Sequence, residues 1–585
     1  MSTILTQPTS GAPTARPALA AARQPLGLAL CGLSLGLAGV VLAAAARHPL
    51  TDPGAIHGGP FWRLPFFTSL AVGGLGACVL AARTALARAV ALLALGMAMI
   101  GALALVEPLG VFHDSWQNVG LGYLALQPGG SAAAWSVPYV ASAPVSYLGF
   151  GGLRALLPDT PTVLRLYPLA CAALYPAGIA ALALALADAH PGLVRQRGRL
   201  AAGAGLAVLA LGPLMWIRVN PSPQSLAFLI LPFALSALLR VGRGPAWRMA
   251  ALGLFALIVF THPITALMEV LIGAAWLAVD LLGRAARRLA IRRPGGRLAK
   301  LGGALAGAPA AGQNTLALYT AIFLTWLVTV GVWAVRSGDA LARRVGDALE
   351  GGRPAAVTTG AGEQLAGFIW VHRAATVGAA LLILAGLALM LRRSPRAGLR
   401  VLAWLGAAAL WLPALAFGEF ADRGPLFALP AAALAAGYLL AEAGPRWRPA
   451  AGLLAVLVTA GSFATAYPNH VGEAVAPGEL AAFARVVAST ADERIAYGYV
   501  PVLDGPDVAL YASGRVRAFA AGAADFSYGR MAASAEVVVI SEQMRASAAL
   551  RGPSALAALD TFEADLARTH DTLYNSGGVR AYRRR

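Results

Sequence analysis

Charge is scarce in this chain, and acid is scarcer than base. Only 12% of its 585 residues are charged, 27 acidic against 46 basic, for a formal net charge of +19. Cysteine is nearly absent. Cys31, Cys78 and Cys171 lie in or beside apolar stretches, and no pair has metal-ligand spacing, so neither a disulfide framework nor a zinc cluster is encoded. There is no Walker-type glycine-rich phosphate loop and no His-Glu-Xaa-Xaa-His, so ATP-driven transport and zinc hydrolysis lose their usual signatures. No internal repeat period stands out.

Long hydrophobic runs are abundant. The chain is 58% hydrophobic with a mean hydropathy of +0.67, and several stretches exceed the roughly 18 apolar residues that mark a membrane span. These properties exclude a soluble fold and predict a polytopic α-helical membrane protein. The expected spans, about thirteen, are 27–46, 66–82, 86–106, 164–187, 201–217, 223–240, 249–262, 264–283, 314–336, 374–391, 401–417, 425–442 and 450–467. The basic excess does not point to nucleic acid, because the arginines fall in short loops between spans, where positive charge sets orientation.

With a cytoplasmic N-terminus and strict alternation, the inner loops carry Arg83 and Arg88, then Arg195, Arg197 and Arg199, then Arg240, Arg243 and Arg248. The stretch 284–300, with seven basic residues, and then Arg392, Arg393, Arg396, Arg400, Arg446 and Arg448 follow on the same side. Short outer loops carry few. This places a multi-pass protein in a plasma membrane with its C-terminal part outside. Residues 1–25 are expected to be a disordered cytoplasmic tail, and 26–467 the transmembrane domain. A signal cleaved near Ala45 is an alternative for the first span. Residues 468–585 change character, gaining acids, Ser and Tyr and losing long apolar runs. They read as a small extracytoplasmic α/β domain. Its expected strands are Arg494–Tyr499, Val508–Ala512 and Val537–Ser541, its helices Pro477–Ala488 and Ala555–Ala567. A hairpin over Thr572–Tyr582 turns at Ser-Gly-Gly.

In so acid-poor a chain, an acid at a membrane mouth is conspicuous. Asp114 stands in Phe112-His113-Asp114-Ser115-Trp116, just past the third expected span. It reads either as a general base for a hydroxyl at the outer surface or as a cap before a helix over Trp116–Leu126. His113 is a neighbouring candidate or a plain interfacial residue. After this helix, with its small Gly120, Gly122 and Ala125, comes a proline-started helix, Ala143-Pro144-Val145-Ser146-Tyr147. A Pro-Asp-Thr-Pro turn and Leu164-Arg165-Leu166-Tyr167-Pro168 then open the next span.

This succession, over roughly 86–190, resembles the first external loop of the GT-C superfamily of membrane glycosyltransferases, the protein-mannosyltransferase and aminoarabinose-transferase type in particular. The family's Tyr-Pro-Pro helix is here Ala143-Pro144, and the acid follows the third span rather than the first. The hairpin Leu573–Tyr582 is similar to the closing hairpin of prokaryotic membrane transferases. The resemblance implies inverting transfer of a sugar from a polyprenyl-phosphate donor to an envelope glycan, lipid or protein, with Asp114 as base.

Such a donor needs cations or N–H groups on the external side to hold its phosphate. The candidates are Arg218, His262 in Thr261-His262-Pro263, Arg423 and Arg373, with Tyr147 beside them. Each also reads blandly, as a local ion pair or a side chain reaching the headgroups. Glu269, inside the span 264–283, is an intramembrane acid and so a candidate by default, or a helix-to-helix bond. Asp52 and His57 form a rival acidic loop, with no Pro-Xaa-Xaa-Tyr helix after it. No second acid adjoins Asp114, so no obligatory metal or other cofactor is expected. The alternatives are a polysaccharide polymerase or ligase, a transporter or flippase, and a non-catalytic envelope assembly protein.

Overall fold

The structure is a computed structural model of the chain. It describes residues 63–101, 113–190, 196–215, 219–292, 313–331, 366–411, 423–470, 478–498, 508–519, 527–551, 553–576 and 578–585, with the single positions 32, 36, 193 and 217. The tail, nearly all of the first expected span, the Asp52–His57 loop and Arg218 lie outside the described residues.

The described parts of the expected spans from 66–82 onward lie largely on helices. Thr160–Ala189, Pro263–Arg288, Trp370–Arg393 and Gly424–Glu442 are long and apolar enough to cross a membrane. Others are apolar but shorter. Pro245–Thr261, at 17 residues, rises about 25 Å at ~1.5 Å per residue, against a hydrocarbon core of ~30 Å. Residues 201–217 do not form one span. The helix Arg197–Leu211 stops before Pro213, which cannot donate to the ladder, and a 3-10 turn Pro213–Met215 follows. Conversely, the helix from Pro263 continues past 283 to Arg292. Arginine propagates a helix well, so the end of the apolar run does not end the helix.

The longest helices connect two polar ends of the bundle. Thr160–Ala189 has 30 residues, roughly 45 Å. Asp159 caps its start by accepting from the Thr162 amide at 2.8 Å, and Pro161 occupies its first turn. At its other end Asp188 pairs with Arg240 and Arg243, both at 3.3 Å. Beyond it, His190 meets the Asp280–Arg396–Arg400 cluster, with Arg396 and Arg400 donating to Asp280 Oδ1 at 2.8 and 2.9 Å. Arg396 and Arg400 are therefore not loop charges. They stand four residues apart within the helix Pro395–Ala409, on one face, and are buried against a single acid. The contacts at the Thr160 end join the Asp114 segment to the turns near 220 and 261.

The segment that contains Asp114 folds as short helices, His113–Leu126, Ser131–Ser136, Pro138–Ser142 and Pro144–Leu156. The first and last cross where Gly122 meets Gly151. A Cβ on Gly122 would collide with the Tyr147 carbonyl, and one on Gly151 with the Gly122 carbonyl. Only glycine lets the two backbones approach this closely.

At the C-terminus, β1 (Ile495–Tyr497), β2 (Val516–Ala518), β3 (Val537–Ser541), β4 (His570–Ser576) and β5 (Val579–Arg584) form one sheet in the order β2-β1-β3-β5-β4. β1 runs parallel to β2 and β3, and β5 antiparallel to β3 and β4. The hairpin turns through Gly578, whose φ of +77° suits glycine. Val508–Ala512, expected as a strand, is a helix, and the strand is Val516–Ala518. A five-residue apolar run carries no period that separates the two, and its neighbours decide.

The period of two in the strands sorts their side chains onto two layers. Ala496, Val538, Ile540 and Tyr582 pack with Met531, Met544, Leu559, Phe562 and Leu566. Ile495, Tyr497, Val537, Val539, Val579 and Ala581 form the other core with Phe483 and Val486. That second core also contains Leu121, Leu124, Ala125, Ala134, Val140, Ala143 and Tyr147 from the short helices of the Asp114 segment. The α/β unit is thus seated on the segment that begins at Asp114.

Candidate active site at the Asp114 helix

Asp114 lies in the first turn of the helix His113–Leu126, inside the helix rather than ahead of it as a cap. It is half-buried. Its Oδ1 accepts from Asn220 Nδ2 at 3.1 Å. Asn118, one turn along the same face, donates through Nδ2 to the Pro221 carbonyl at 3.1 Å. The buried Tyr147 hydroxyl donates to Asn118 Oδ1 at 3.0 Å. The Asp114 helix thereby grips the turn before Pro223, and the Pro144 helix fixes the grip. The turn has its own local reason to exist. Ser222 caps the next helix by accepting from the Ser225 amide at 3.2 Å, and Pro223 starts it.

Burial, with the neighbouring Tyr139, Tyr511 and Asp114, pushes the Tyr147 phenol well above its usual range. Tyr147 therefore stays a hydrogen-bond donor. Tyr511 comes from the α/β unit, so both parts of the chain meet beside the Asp114 helix. Ser146 extends the site to the next turn, donating to the Ala143 carbonyl at 2.8 Å and reaching the Thr261 carbonyl at 3.3 Å. There His262 is buried, its Nδ1 paired with Thr265 Oγ1 at 2.8 Å. Asp114, Tyr147 and the His262 turn are therefore brought to one end of the bundle by direct hydrogen bonds.

Among the described residues, Arg373 and Glu269 are not drawn into this network. Arg373 is exposed and lies over the Trp370 ring, 5.4 Å from its centroid. Glu269 is fully buried within its helix, and neither carboxylate oxygen has a hydrogen-bond partner. The hydroxyl of the neighbouring Tyr319 donates to the Ala251 carbonyl at 3.0 Å. Arg423 opens the helix Arg423–Glu442, and His113 opens the Asp114 helix, but their side chains lie outside the described residues, as does Arg218 altogether. Among the described residues no three His, Cys, Asp or Glu side chains group as metal ligands.

Sequence reasoning missed Asn118 and Asn220. The signal for Asn118 is its place four residues after Asp114. Asn220 stands beside Arg218 in Arg218-Val219-Asn220-Pro221, where attention to the cation hid the amide. Three buried polar atoms in this region have no partner: Ser115 Oγ, Asn220 Oδ1 and Gln224 Nε2. No protein-family model matches the chain, and no curated protein matches it.

Chemically, the arrangement holds a half-exposed carboxylate in a fixed direction beside an amide and a neutral phenol. A carboxylate so held can accept a proton from a hydroxyl that reaches it.

Proposed function

We propose that the protein transfers a sugar from a polyprenyl-phosphate donor to a cell-envelope acceptor, as a membrane glycosyltransferase of the GT-C type. The observation that carries this reading is the Asp114–Asn220 hydrogen bond, which orients a half-buried carboxylate at one end of an apolar bundle beneath an α/β unit. In the reaction, the acceptor hydroxyl oxygen forms a bond to the anomeric carbon. Its proton passes to Asp114, and the bond from that carbon to the lipid phosphate breaks, leaving its electron pair on the phosphate. Attack from the face opposite the leaving group inverts the anomeric centre. His262, Arg218 and Arg423 are the proposed phosphate-holding groups, and the α/β unit orients the acceptor. About thirteen spans, a cytoplasmic N-terminus and an external C-terminal domain complete the proposal.

The test is Asp114→Asn in purified protein, given a panel of polyprenyl-phosphate sugars. Transfer by the wild type and its loss in the variant, with an unchanged melting transition, is the expected result. Wild-type protein that transfers from no donor, or a variant with full activity, ends the reading. The buried Glu269, whose carboxylate oxygens have no partner, favours a transporter or flippase as the second reading, because intramembrane acids commonly serve a translocation path. Movement of a labelled lipid across reconstituted vesicles without sugar transfer would identify that activity instead.

A further inference from the structure

The helix Pro553–Thr569 and strand β5 of the α/β unit border a shallow, open cleft of about 480 Å³, on the sheet face turned away from the Asp114 segment. It is lined by Arg545, Asp560, Glu563, Ala564, Ala567, Arg580 and Tyr582. A second hollow, of about 160 Å³, adjoins it at the end of β3 and the β4–β5 hairpin, where Ser541, Glu542, Asn575 and Ser576 contribute. Arg545 and Arg580 line both.

One buried acid organises the lining. Glu563 is 7% exposed, and its Oε1 accepts from Arg580 Nη1 at 2.5 Å and from the Tyr582 hydroxyl at 2.9 Å. Its Oε2 accepts from Arg545, which also donates to Asp560 Oδ1 at 2.6 Å. The guanidiniums are therefore held in place, and Arg580 remains nearly half-exposed towards the cleft. A network this elaborate is a poor investment for stability alone, since compensated ion pairs contribute little beyond what apolar packing gives.

The lining chemistry selects the ligand. Glu542, Asp560 and Glu563 outnumber the two guanidiniums, so an anion gains no net attraction. The aliphatic surface, Ala564, Ala567, Ile540 and Val579, is too small and scattered for a lipid chain. What remains is a dense mixture of fixed donors and acceptors: guanidinium, carboxylate, amide, hydroxyl and phenol. Adjacent hydroxyls of a sugar ring satisfy such a set, because each hydroxyl both donates and accepts. We propose that this cleft binds a neutral glycan, through Arg545, Asp560, Asn575 and Arg580. The site is separate from Asp114, and the proposal holds whether or not Asp114 is catalytic.

The test is a binding titration of the full-length protein in detergent with neutral gluco-, manno-, galacto- and arabino-oligosaccharides, alongside inorganic pyrophosphate and spermine. The expected result is saturable binding of at least one oligosaccharide, weakened about three- to tenfold in Asn575→Ala and Asp560→Ala, the loss typical of a removed hydrogen-bond partner. Both side chains are exposed, so the variants keep the fold. Asp114→Asn binds as the wild type does. No oligosaccharide binding, binding insensitive to both substitutions, or binding of pyrophosphate or spermine in place of the glycans overturns the proposal.

Discussion

Asn220 donates its side-chain amide to Asp114 across 106 residues of sequence, at 3.1 Å. The bond fixes which way the carboxylate faces, and the Asn118 bond to Pro221 fixes the turn that carries Asn220. Removing the amide leaves Asp114 present but without this bond. Asn220→Ala is expected to lower kcat by about 10–100-fold with a smaller change in KM, the scale of a misplaced catalytic group. Asn220→Asp is expected to be worse, because it sets a second carboxylate against the first. Steady-state kinetics with the donor found for the wild type check both. A kcat within twofold of the wild type in the alanine variant would show that Asp114 needs no such support.

The crossing of the Asp114 and Pro144 helices at Gly122 and Gly151 predicts a sharp positional contrast. An alanine at either glycine meets a backbone carbonyl that cannot step aside. Gly122→Ala and Gly151→Ala should each destabilise by about 1–3 kcal/mol, the usual cost of overpacking. Gly149→Ala, on the same Pro144 helix, meets no atom within 4 Å and should stabilise by about 0.5–1 kcal/mol through helix propensity. Thermal unfolding of the three variants reads the contrast. Equal effects at Gly149 and Gly151 would mean that the helices do not approach as described.

Some of this architecture was legible in the sequence, and the reason differs by element. The bundle could be read because long apolar runs have few other fates. Asp114 stood out because acids are rare around it. The hairpin was marked by its Ser-Gly-Gly centre, and Gly578 does take positive φ. Val508–Ala512 reads as a strand yet folds as a helix, because five apolar residues contain no decisive period. Arg396 and Arg400 read as loop charges yet lie within a helix, for a different reason. Their charge says loop, while their spacing of four says one helix face, and Asp280, more than a hundred residues earlier, makes that face buriable. Asn220 was illegible for the same cause: its role depends on a partner that only the fold supplies.

The Asp280 cluster makes stability depend on pH through His190. Burial, with Arg400 and Arg396 alongside, pulls the His190 pKa from 6.5 down to about 3, and Asp280 offsets this only in part. Above pH 6.5 the imidazole is neutral folded or unfolded, and no slope arises. Below it the unfolded chain takes up a proton that the folded chain refuses, so stability falls progressively between 6.5 and about 3. At pH 5 the loss is on the order of 2 kcal/mol. His190→Gln keeps an acceptor for Arg400 Nη1, which lies 3.1 Å from His190 Nε2, and removes the titration. Its melting temperature should vary less between pH 7 and pH 5 than that of the wild type. Parallel curves for the two proteins would assign the acid sensitivity to other groups.

Glu269 sits wholly buried with two unpaired carboxylate oxygens, although a phenol is close by. Tyr319 directs its hydroxyl to the Ala251 carbonyl at 3.0 Å and stacks on Phe255, 3.9 Å between centroids. An ionised acid in such a place costs several kcal/mol, and even a neutral one leaves acceptors unmet. Glu269→Gln removes any chance of charge at nearly constant volume. It is expected to raise the melting midpoint of the detergent-solubilised protein, and Glu269→Leu to raise it further by removing the polar atoms. Transfer activity in the same variants then separates the two roles open to this residue. Retained transfer makes Glu269 a tolerated cost of the helix interface, whereas loss of transfer with raised stability makes it a functional acid kept at the expense of stability. A lowered midpoint in both variants would mean that Glu269 has bonding partners after all, and that the helices around Tyr319 pack differently from the arrangement described.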